Sequence, residues 1–203
     1  MARGIIDTEA MMAPDMQALK NAKPPASMPF DITKLGHAVL KVSDLARSVD
    51  FYTNVMGFRV SDVYPHSMMP GKMVFMRFNN DHHGIAIVGG AKEPSPNREL
   101  HHMAFEVATL DEVLRARTHL ELHGIEIDFE GRRRAGCQIA LEFRDPDNHF
   151  LEIYWGLDQV GPDDTARPPE QWRGAFSLEE AIANAPVGQD TTLADPSLRD
   201  DVE

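Results

Sequence analysis

Two short runs of β-type sequence, each with a histidine near its start, constrain the fold more than any other feature of the chain. The first run covers residues 34–42 and the second covers residues 98–107. Their histidines, His37 and His102, are 65 positions apart, and a helix-like segment and further short strands follow each run. Repetition of this kind indicates one supersecondary unit present twice. We therefore expect two copies of a strand–helix–three-strand module.

Turn and capping residues mark the elements of each module. Ser43 or Asp44 can cap the first helix, which Gly57 ends, and Thr109 opens the second helix with a capping box, which Gly124 ends. The predicted strands are 34–42, 59–64, 73–78 and 84–88 in the first module and 100–107, 125–130, 138–143 and 150–154 in the second.

These elements divide the chain into three parts. Residues 1–33 are predicted to form an N-terminal arm with a short helix near 9–20, because scattered prolines break any longer pattern. Residues 34–156 form one domain, with modules at 34–90 and 98–156. Residues 157–203 form a C-terminal tail with a short helix that Ser177 opens and Pro186 ends, and the acidic stretch 195–203 is predicted to be disordered.

The charge and the cysteine content limit the function classes. A formal net charge of -12 argues against a nucleic-acid partner, since a phosphate backbone demands a basic face. The single cysteine, Cys137, permits no intramolecular disulfide and fits a reducing compartment. The first sixteen residues do not resemble a secretory signal, and no apolar run approaches the ~20 residues that a membrane-spanning helix needs. We expect a cytoplasmic protein with no membrane partner.

Alternation of side chains along a strand gives each predicted first strand one polar face. His37 shares a face with Val39 and Lys41, and His102 shares a face with Ala104 and Glu106. The opposite faces are apolar and would pack under the helices. Two equivalent strands with polar faces indicate a shared cleft rather than a core.

Glu152 is a carboxylate inside an otherwise apolar predicted strand. Burial of an unpaired carboxylate is costly, so this residue needs a cation or a hydrogen-bond partner. Two imidazoles and one carboxylate on converging faces form the donor set that binds Fe(II) and leaves positions open for other ligands. The alternative is that His37, His102 and Glu152 are ordinary hydrogen-bonded residues of the structure.

The same residues resemble the vicinal oxygen chelate superfamily, which includes glyoxalase I, bleomycin-resistance proteins and type I extradiol dioxygenases. The resemblance covers residues 34–154 and is carried by the motifs at 36–45, 51–52 with 57–58, 101–107 and 145–154. It implies an α+β fold, in which two βαβββ modules pair into a half-open mixed β barrel with the helices outside. It also implies a homo-oligomer, since members of the superfamily often form dimers.

The resemblance implies a metal site on the first strand of each module and on the last strand of the second, at His37, His102 and Glu152. Glyoxalase I-like members place a fourth ligand on strand four, where this chain has Ala86. Three ligands with an alanine in the fourth place resemble the catalytic module of an extradiol dioxygenase. Such an enzyme would use Fe(II), or Mn(II), to open a small catechol-type aromatic diol with O₂.

The resemblance also implies a proton-transfer residue and a substrate pocket. The acid/base histidine of extradiol dioxygenases corresponds to His83, although strict strand alternation from Ala86 points His82 into the cleft. Candidate substrate-binding residues are Tyr154, Glu142 and His82.

The chain departs from the extradiol pattern at two positions, where Glu142 and Arg133 replace the usual tyrosine and histidine. The departure leaves two alternatives to the dioxygenase: a metal-dependent isomerase or lyase of the same superfamily, and a metal-free ligand-binding protein of the resistance type.

Overall fold

A computed structural model describes residues 6–24, 29, 32–160 and 165–202, the last three by their backbone alone. Residues 1–5, 25–28 and 30–31 of the predicted arm lie outside the described residues, as do residues 161–164 and 203. None of the helices among the described residues has the length and apolar character to span a bilayer.

Each predicted module is present with its elements in the predicted order. The first module consists of β1 (Ala38–Val42), α3 (Leu45–Asn54), β2 (Arg59–Tyr64), β3 (Met73–Arg77) and β4 (Ile85–Gly89), preceded by α1 (Thr8–Met11) and α2 (Pro14–Lys20). The second consists of β5 (Met103–Glu106), α4 (Leu110–Leu122), β6 (Ile127–Arg132), β7 (Ile139–Arg144) and β8 (Phe150–Trp155), followed by α5 (Leu178–Ala183). Asp44 caps α3 and Thr109 forms the predicted capping box of α4.

The two modules form equivalent four-stranded mixed sheets. The strand order is β1-β4-β3-β2 in the first sheet and β5-β8-β7-β6 in the second, so the sequence repeat is also a repeat of topology. The first strand of each module pairs in parallel with the last, with Val39 opposite Ala86 and Ala104 opposite Glu152. The predicted α+β fold class is confirmed, with the helices outside and without closure of a barrel among the described strands.

The core collects the apolar faces of both modules. Leu40 and Val42 of β1 are buried, and Met103 and Phe105 of β5 pack against the same cluster. The opposite face of each strand is open, since Val39 is 50% exposed. The predicted separation of an apolar face and a polar face on β1 and β5 is therefore confirmed.

The two histidines lie just outside the strands on which they were predicted. β1 begins at Ala38 and β5 begins at Met103, so His37 and His102 each directly precede the first strand of their module. His37 lies outside the hydrogen-bond ladder of the sheet. The first backbone hydrogen bond of β1 runs from the Ala38 N–H to the carbonyl of Gly84, one residue before β4 begins. The two histidines therefore still occupy equivalent positions in their modules.

The arm and the tail differ from the prediction. The predicted helix near 9–20 is divided into α1 and α2, because Pro14 has no N–H to continue the first helix and occupies the first turn of the second. The prediction of disorder from residue 195 is wrong where the structure describes the chain. The Asp111 carboxylate accepts the N–H groups of Ala194 and Asp195, and a 3-10 helix (Pro196–Val202) follows.

The β7–β8 turn joins the two modules through two buried carboxylates. Asp147 accepts hydrogen bonds from the Ser43 N–H at 2.7 Å and from the Ser48 hydroxyl at 3.1 Å, both near the start of α3. The Tyr52 hydroxyl donates to Asp145 at 2.9 Å. Burial, together with the Asp145 charge, raises the pKa of Tyr52 well above its usual value and keeps this hydroxyl a donor.

Replacing Asp147 with asparagine is expected to lower the free energy of unfolding by about 2–3 kcal/mol, because the buried donors around it lose a charged acceptor. Burial alone raises the pKa of Asp147, but hydrogen bonds from Ser43, Ser48 and Arg47 outweigh it and hold the pKa below its usual value. The contribution of this carboxylate is therefore present above the unfolded pKa of about 3.9 and is lost as the pH falls through the lower folded pKa.

Urea unfolding of the wild-type and variant proteins at neutral pH and between pH 5 and 3 measures this difference. Asp50→Asn, an exposed substitution on the same helix, is the matched control and should change stability by less than about 0.5 kcal/mol. Equal stability of Asp147→Asn and wild type would show that the turn does not hold the modules together.

Candidate metal centre

The structure brings two of the three predicted metal ligands together. His102 precedes β5, Glu152 lies on the adjacent strand β8, and the Nε2 atom of His102 is 3.3 Å from an Oε atom of Glu152. The Glu152 side chain is only 2% exposed, whereas that of His102 is 36% exposed. An imidazole nitrogen and a buried carboxylate oxygen thus point at the same place from neighbouring strands.

The polar surroundings of Glu152 decide how readily it is ionised. Burial raises the pKa of Glu152, and this is opposed by a hydrogen bond from Gln138 and by the neighbouring His102. The Gln138 amide nitrogen lies 3.4 Å from the second carboxylate oxygen, while its own Oε1 atom is buried without a hydrogen-bond partner. The resulting arrangement favours a bound cation, because a positive charge offsets the cost of burying the carboxylate.

A contact at its second ring nitrogen, Nδ1, orients the His102 ring. The Nδ1 atom of His102 is 2.7 Å from Nδ1 of His101, and one of the two rings supplies the proton of that bond. A partner at Nδ1 leaves Nε2 as the nitrogen available for a metal, which is the usual arrangement at ligating histidines. Sequence reasoning missed this use of His101, although the adjacency of the two histidines was a visible signal.

The third predicted ligand, His37, lies in the first module beside His83. Their ring centroids are 4.5 Å apart with a tilt of 47°, and the His83 ring also contacts Phe75 at 5.1 Å. Burial lowers the pKa of His83, and the neighbouring His37 and His82 lower it further. The predicted proton-transfer residue is therefore next to a predicted metal ligand and is held in its neutral form.

His82 occupies a different environment from His83. Its Nε2 atom is 2.8 Å from the Asp62 carboxylate, and its Nδ1 atom is 3.0 Å from Nδ1 of His83. β4 begins only at Ile85, so strand alternation does not extend back to either histidine. The Asp62 contact anchors His82 at the exposed side of the turn.

The three predicted ligands were expected to converge on one metal ion. In the part of the chain that the structure describes, no three His, Cys, Asp or Glu side chains are placed so that they could hold one metal ion. The donors instead form two pairs, His102 with Glu152 and His37 with His83. The donor types fit a divalent metal.

The residues that replace the expected tyrosine and histidine form an ion pair. Glu142 lies opposite Glu152 across β7 and β8, and its side chain is 6% exposed. The Arg133 Nε group donates to Glu142 at 2.6 Å, and its guanidinium lies 3.7 Å above the Phe129 ring. Glu142 is therefore neutralised by Arg133, which remains the solvent-accessible member of the pair.

Tyr154 follows Glu152 on the same face of β8 and lies opposite Glu106 of β5. Burial raises the pKa of Tyr154, and the charges of Glu106 and Glu152 raise it further, so the phenol stays protonated. Sequence reasoning did not identify Gln138 as a neighbour of Glu152. The signal was a single amide within the apolar run 137–141.

Comparison with known proteins places this arrangement in a family. The model of the Glyoxalase/Bleomycin resistance protein/Dioxygenase superfamily matches residues 34–153. The biphenyl-2,3-diol 1,2-dioxygenase of Paraburkholderia xenovorans is 35% identical over 129 residues, which cover 62% of this chain and 42% of that protein. The 3-methylcatechol 2,3-dioxygenase of Pseudomonas putida is 30% identical over 129 residues, covering 62% of this chain and 43% of that protein. The chain thus spans less than half the length of these curated relatives.

Solved structures agree on the fold. The fosfomycin resistance protein FosX from Listeria monocytogenes, crystallised with Mn(II) and 1S,2S-dihydroxypropylphosphonic acid, superposes with a TM-score of 0.50 at 25% identity over 61% of this chain and 90% of that one. A glyoxylase/bleomycin resistance protein/dioxygenase domain from Frankia has a TM-score of 0.54 at 20% identity, over 62% of this chain and 99% of that one. With the repeated modules and the family match over residues 34–153, these likenesses show that the chain belongs to the glyoxalase/bleomycin resistance protein/dioxygenase superfamily.

Proposed function

We propose that this protein is an extradiol-type dioxygenase, which opens the ring of a catechol-type aromatic diol with O₂ and a bound Fe(II) or Mn(II) ion. The observation that carries the proposal is the contact between Nε2 of His102, which directly precedes β5, and the buried carboxylate of Glu152 on the adjacent strand β8. His37 is the third proposed ligand. The catechol-type dioxygenases among the relatives support this reaction class.

The position of Ala86 supports a three-ligand site over a four-ligand site. Ala86 pairs with Val39 as Glu152 pairs with Ala104, so the two residues occupy equivalent places in the two sheets. A methyl group cannot bind a metal, and a site with three protein ligands keeps positions open for a diol and for O₂. This arrangement favours a ring-cleaving enzyme over a glyoxalase I-like one.

The chain's own side chains orient the substrate and move its protons. A bound divalent metal would supply the Lewis acidity and the redox chemistry that the reaction needs. His83, held neutral beside His37, accepts a proton from a diol hydroxyl and returns one to the product. Tyr154 stays protonated and can donate a hydrogen bond to the diol, while Arg133 keeps the Glu142 carboxylate neutralised next to the site.

Metal analysis and oxygen uptake test the proposal together. Protein purified without air and without chelators should contain iron or manganese in an amount comparable to the chain, and it should consume O₂ with a panel of small catechols. A coloured ring-opened product identifies extradiol cleavage. The proposal would be refuted if the purified protein contains no metal and, after Fe(II) or Mn(II) is added, consumes no O₂ with any of the catechols.

Replacing His83 with alanine is expected to lower kcat by roughly 10²–10⁴-fold while the bound metal is retained, because the variant loses only the proton-transfer group. Measuring kcat and bound metal for His82→Ala decides which of the two neighbouring histidines transfers the proton, since strand alternation in the sequence favoured His82. His123→Ala, at the C-terminal end of α4, is the matched control. Loss of metal in His83→Ala would show that the ring is a ligand rather than a proton carrier.

A second candidate is a metal-dependent enzyme that does not use O₂, such as an isomerase or a lyase. The likeness to FosX, crystallised with Mn(II) and a dihydroxypropyl phosphonate, favours it, as does the Arg133–Glu142 pair in place of the expected residues. Bound metal without oxygen uptake on any catechol would support this candidate. A protein that binds an aromatic ligand but no metal would instead be a binding protein of the resistance type.

A further inference from the structure

Asp62 lies on the face of the first sheet that carries Val39. On β2 it is directly opposite Phe75 of β3, Phe75 is opposite Ala86 of β4, and Ala86 is opposite Val39 of β1. Directly opposed residues of neighbouring strands project from the same face of a sheet. A bulge in β2 makes Asp62, rather than Ser61, the residue opposite Phe75. The bulge therefore brings a carboxylate into the row of side chains that leads toward the proposed metal ligands.

A continuous chain of hydrogen bonds connects Asp62 with His83. Nε2 of His82 is 2.8 Å from the Asp62 carboxylate, and Nδ1 of His82 is 3.0 Å from Nδ1 of His83. The centroid of the His83 ring lies 4.5 Å from that of the proposed ligand His37. The chain of hydrogen bonds thus ends at the residue that is proposed to transfer protons.

Phe75 supports both imidazoles of this chain. The centroid of its ring lies 5.9 Å from that of His82 and 5.1 Å from that of His83. Tyr64 packs against the Phe75 ring at a centroid distance of 4.8 Å. Aromatic rings at such distances attract each other. The two histidines are therefore held by ring contacts as well as by hydrogen bonds.

The carboxylate at one end decides where the protons of the two neutral rings lie. An ionised carboxylate only accepts hydrogen bonds, so Nε2 of His82 carries the proton that it donates to Asp62. A neutral His82 then has a bare Nδ1, which accepts a hydrogen bond from Nδ1–H of His83. His83 keeps a lone pair on Nε2, to which the residues that the structure describes make no hydrogen bond.

We infer that Asp62, acting through His82, is a positioning residue that makes Nε2 of His83 the proton acceptor of the reaction. The inference rests on the proposed function, in which His83 transfers protons. The Nε2 lone pair takes the proton of a diol hydroxyl, and the electron pair of the O–H bond stays on the oxygen. The resulting imidazolium still donates from Nδ1 to His82, and its Nε2–H bond breaks when the proton goes to the product. The opposite tautomer presents an N–H to the diol and cannot accept its proton.

Nitrogen NMR of the full-length protein, labelled with ¹⁵N at histidine, tests the tautomer directly. Spectra are recorded with and without Zn(II), which is diamagnetic, at about pH 8, above the ordinary imidazole pKa of about 6.5. Wild type is expected to show His83 protonated at Nδ1, its signals being those that His83→Ala lacks. In Asp62→Ala, His83 should become a mixture of both tautomers. A merely structural role of Asp62 would not change the site of protonation.

Steady-state kinetics with a catechol measures what the positioning contributes. Asp62→Ala should lower kcat by roughly 10–100-fold, the loss typical of a residue that orients a functional histidine, while KM and metal content stay close to those of wild type. His82→Ala should have a similar effect, smaller than that of His83→Ala. Because the Asp62 and His82 side chains are 64% and 56% exposed, neither truncation should change the urea unfolding transition markedly.

The doubly substituted protein, Asp62→Ala with His82→Ala, shows whether Asp62 acts through His82. Its kcat should equal that of His82→Ala alone, because the path from Asp62 to His83 is already broken. Independent, multiplying losses would overturn the inference. Asp81→Asn is the matched control, since it removes another carboxylate charge from the turn before β4, one that pairs with Lys34 rather than with a histidine. This control should retain the kcat of wild type.

The outcomes keep this inference apart from the proposed function. Wild type that opens no catechol refutes the proposed function, whereas an Nδ1 proton on His83 that is lost in Asp62→Ala still supports the hydrogen-bond assignment. An active wild type with His83 protonated at Nε2 overturns the inference alone, and so does an Asp62→Ala protein with the kcat of wild type. A greater loss of kcat in His82→Ala than in His83→Ala overturns it as well.

Discussion

Replacing His102 with alanine should abolish metal binding and all oxygen uptake. His102 supplies the imidazole nitrogen that lies 3.3 Å from the buried Glu152 carboxylate, and its removal leaves that carboxylate without its imidazole neighbour. Loss of a residue that only supports a ligand costs about 10–100-fold in metal affinity, so loss of the ligand itself should cost more. Elemental analysis and equilibrium titration with Fe(II) or Mn(II) measure the change.

The control for this experiment is a histidine outside the candidate metal centre. His123 is the C-cap of α4, where its ring centroid lies 4.5 Å from that of His119, and His123→Ala should retain the metal content of wild type. The His102 side chain is partly exposed, so its truncation should leave the unfolding transition close to that of wild type. An active, metal-free His102→Ala protein would refute the proposed site.

Replacing Arg132 with methionine should lower the free energy of unfolding by about 3–5 kcal/mol. Arg132 ends β6 and is only 2% exposed. Its guanidinium donates to the carbonyls of Ala181 and Asn184 and to the side chain of Gln189, and so attaches the C-terminal segment to the second sheet. Methionine fills a similar volume but leaves these acceptors, among them the carbonyl of the buried Ala181, without the guanidinium donors.

Urea unfolding measures the loss of stability, and limited proteolysis locates it. Cleavage within residues 184–192 should become faster in Arg132→Met, because the segment loses its attachment to the sheet. Arg173→Met is the matched control, since the exposed Arg173 guanidinium donates to the nearby carbonyls of Glu170 and Trp172. Unchanged proteolysis in Arg132→Met would show that the apolar contacts of α5 are sufficient to hold the segment.

Much of the fold could be predicted from local signals. Strand alternation separated the buried side of β1, with Leu40 and Val42, from the open side with Val39, and the structure confirms this division. The capping residues Asp44 and Thr109 occupy the predicted helix starts, because a cap depends only on a side chain and the next three backbone N–H groups. The contact between His102 and Glu152 depends only on the neighbouring places of β5 and β8 in one module.

Other features depend on residues far apart in the chain and gave no local signal. Residues 145–148 lie between two predicted strands without a sign of a long-range contact, yet Asp147 bonds to Ser43, 104 positions away. The C-terminal stretch was predicted to be disordered from its acidic composition, whereas Asp111 orders its start by accepting two of its N–H groups. The ion pair between Arg133 and Glu142 likewise required the strand register.

The sequence by itself determined the repeated module, the polar face of each first strand and the types of donor at the candidate site, because these follow from periodicity and from side-chain chemistry. Only the tertiary structure decided which surfaces meet. Phe105 and Asp147 hold the modules together through contacts that leave His37 and His102 exposed. Alternation along a strand determines what each face carries, whereas the partner of each face is decided by which long-range contacts bury the most apolar surface and satisfy the most buried polar groups.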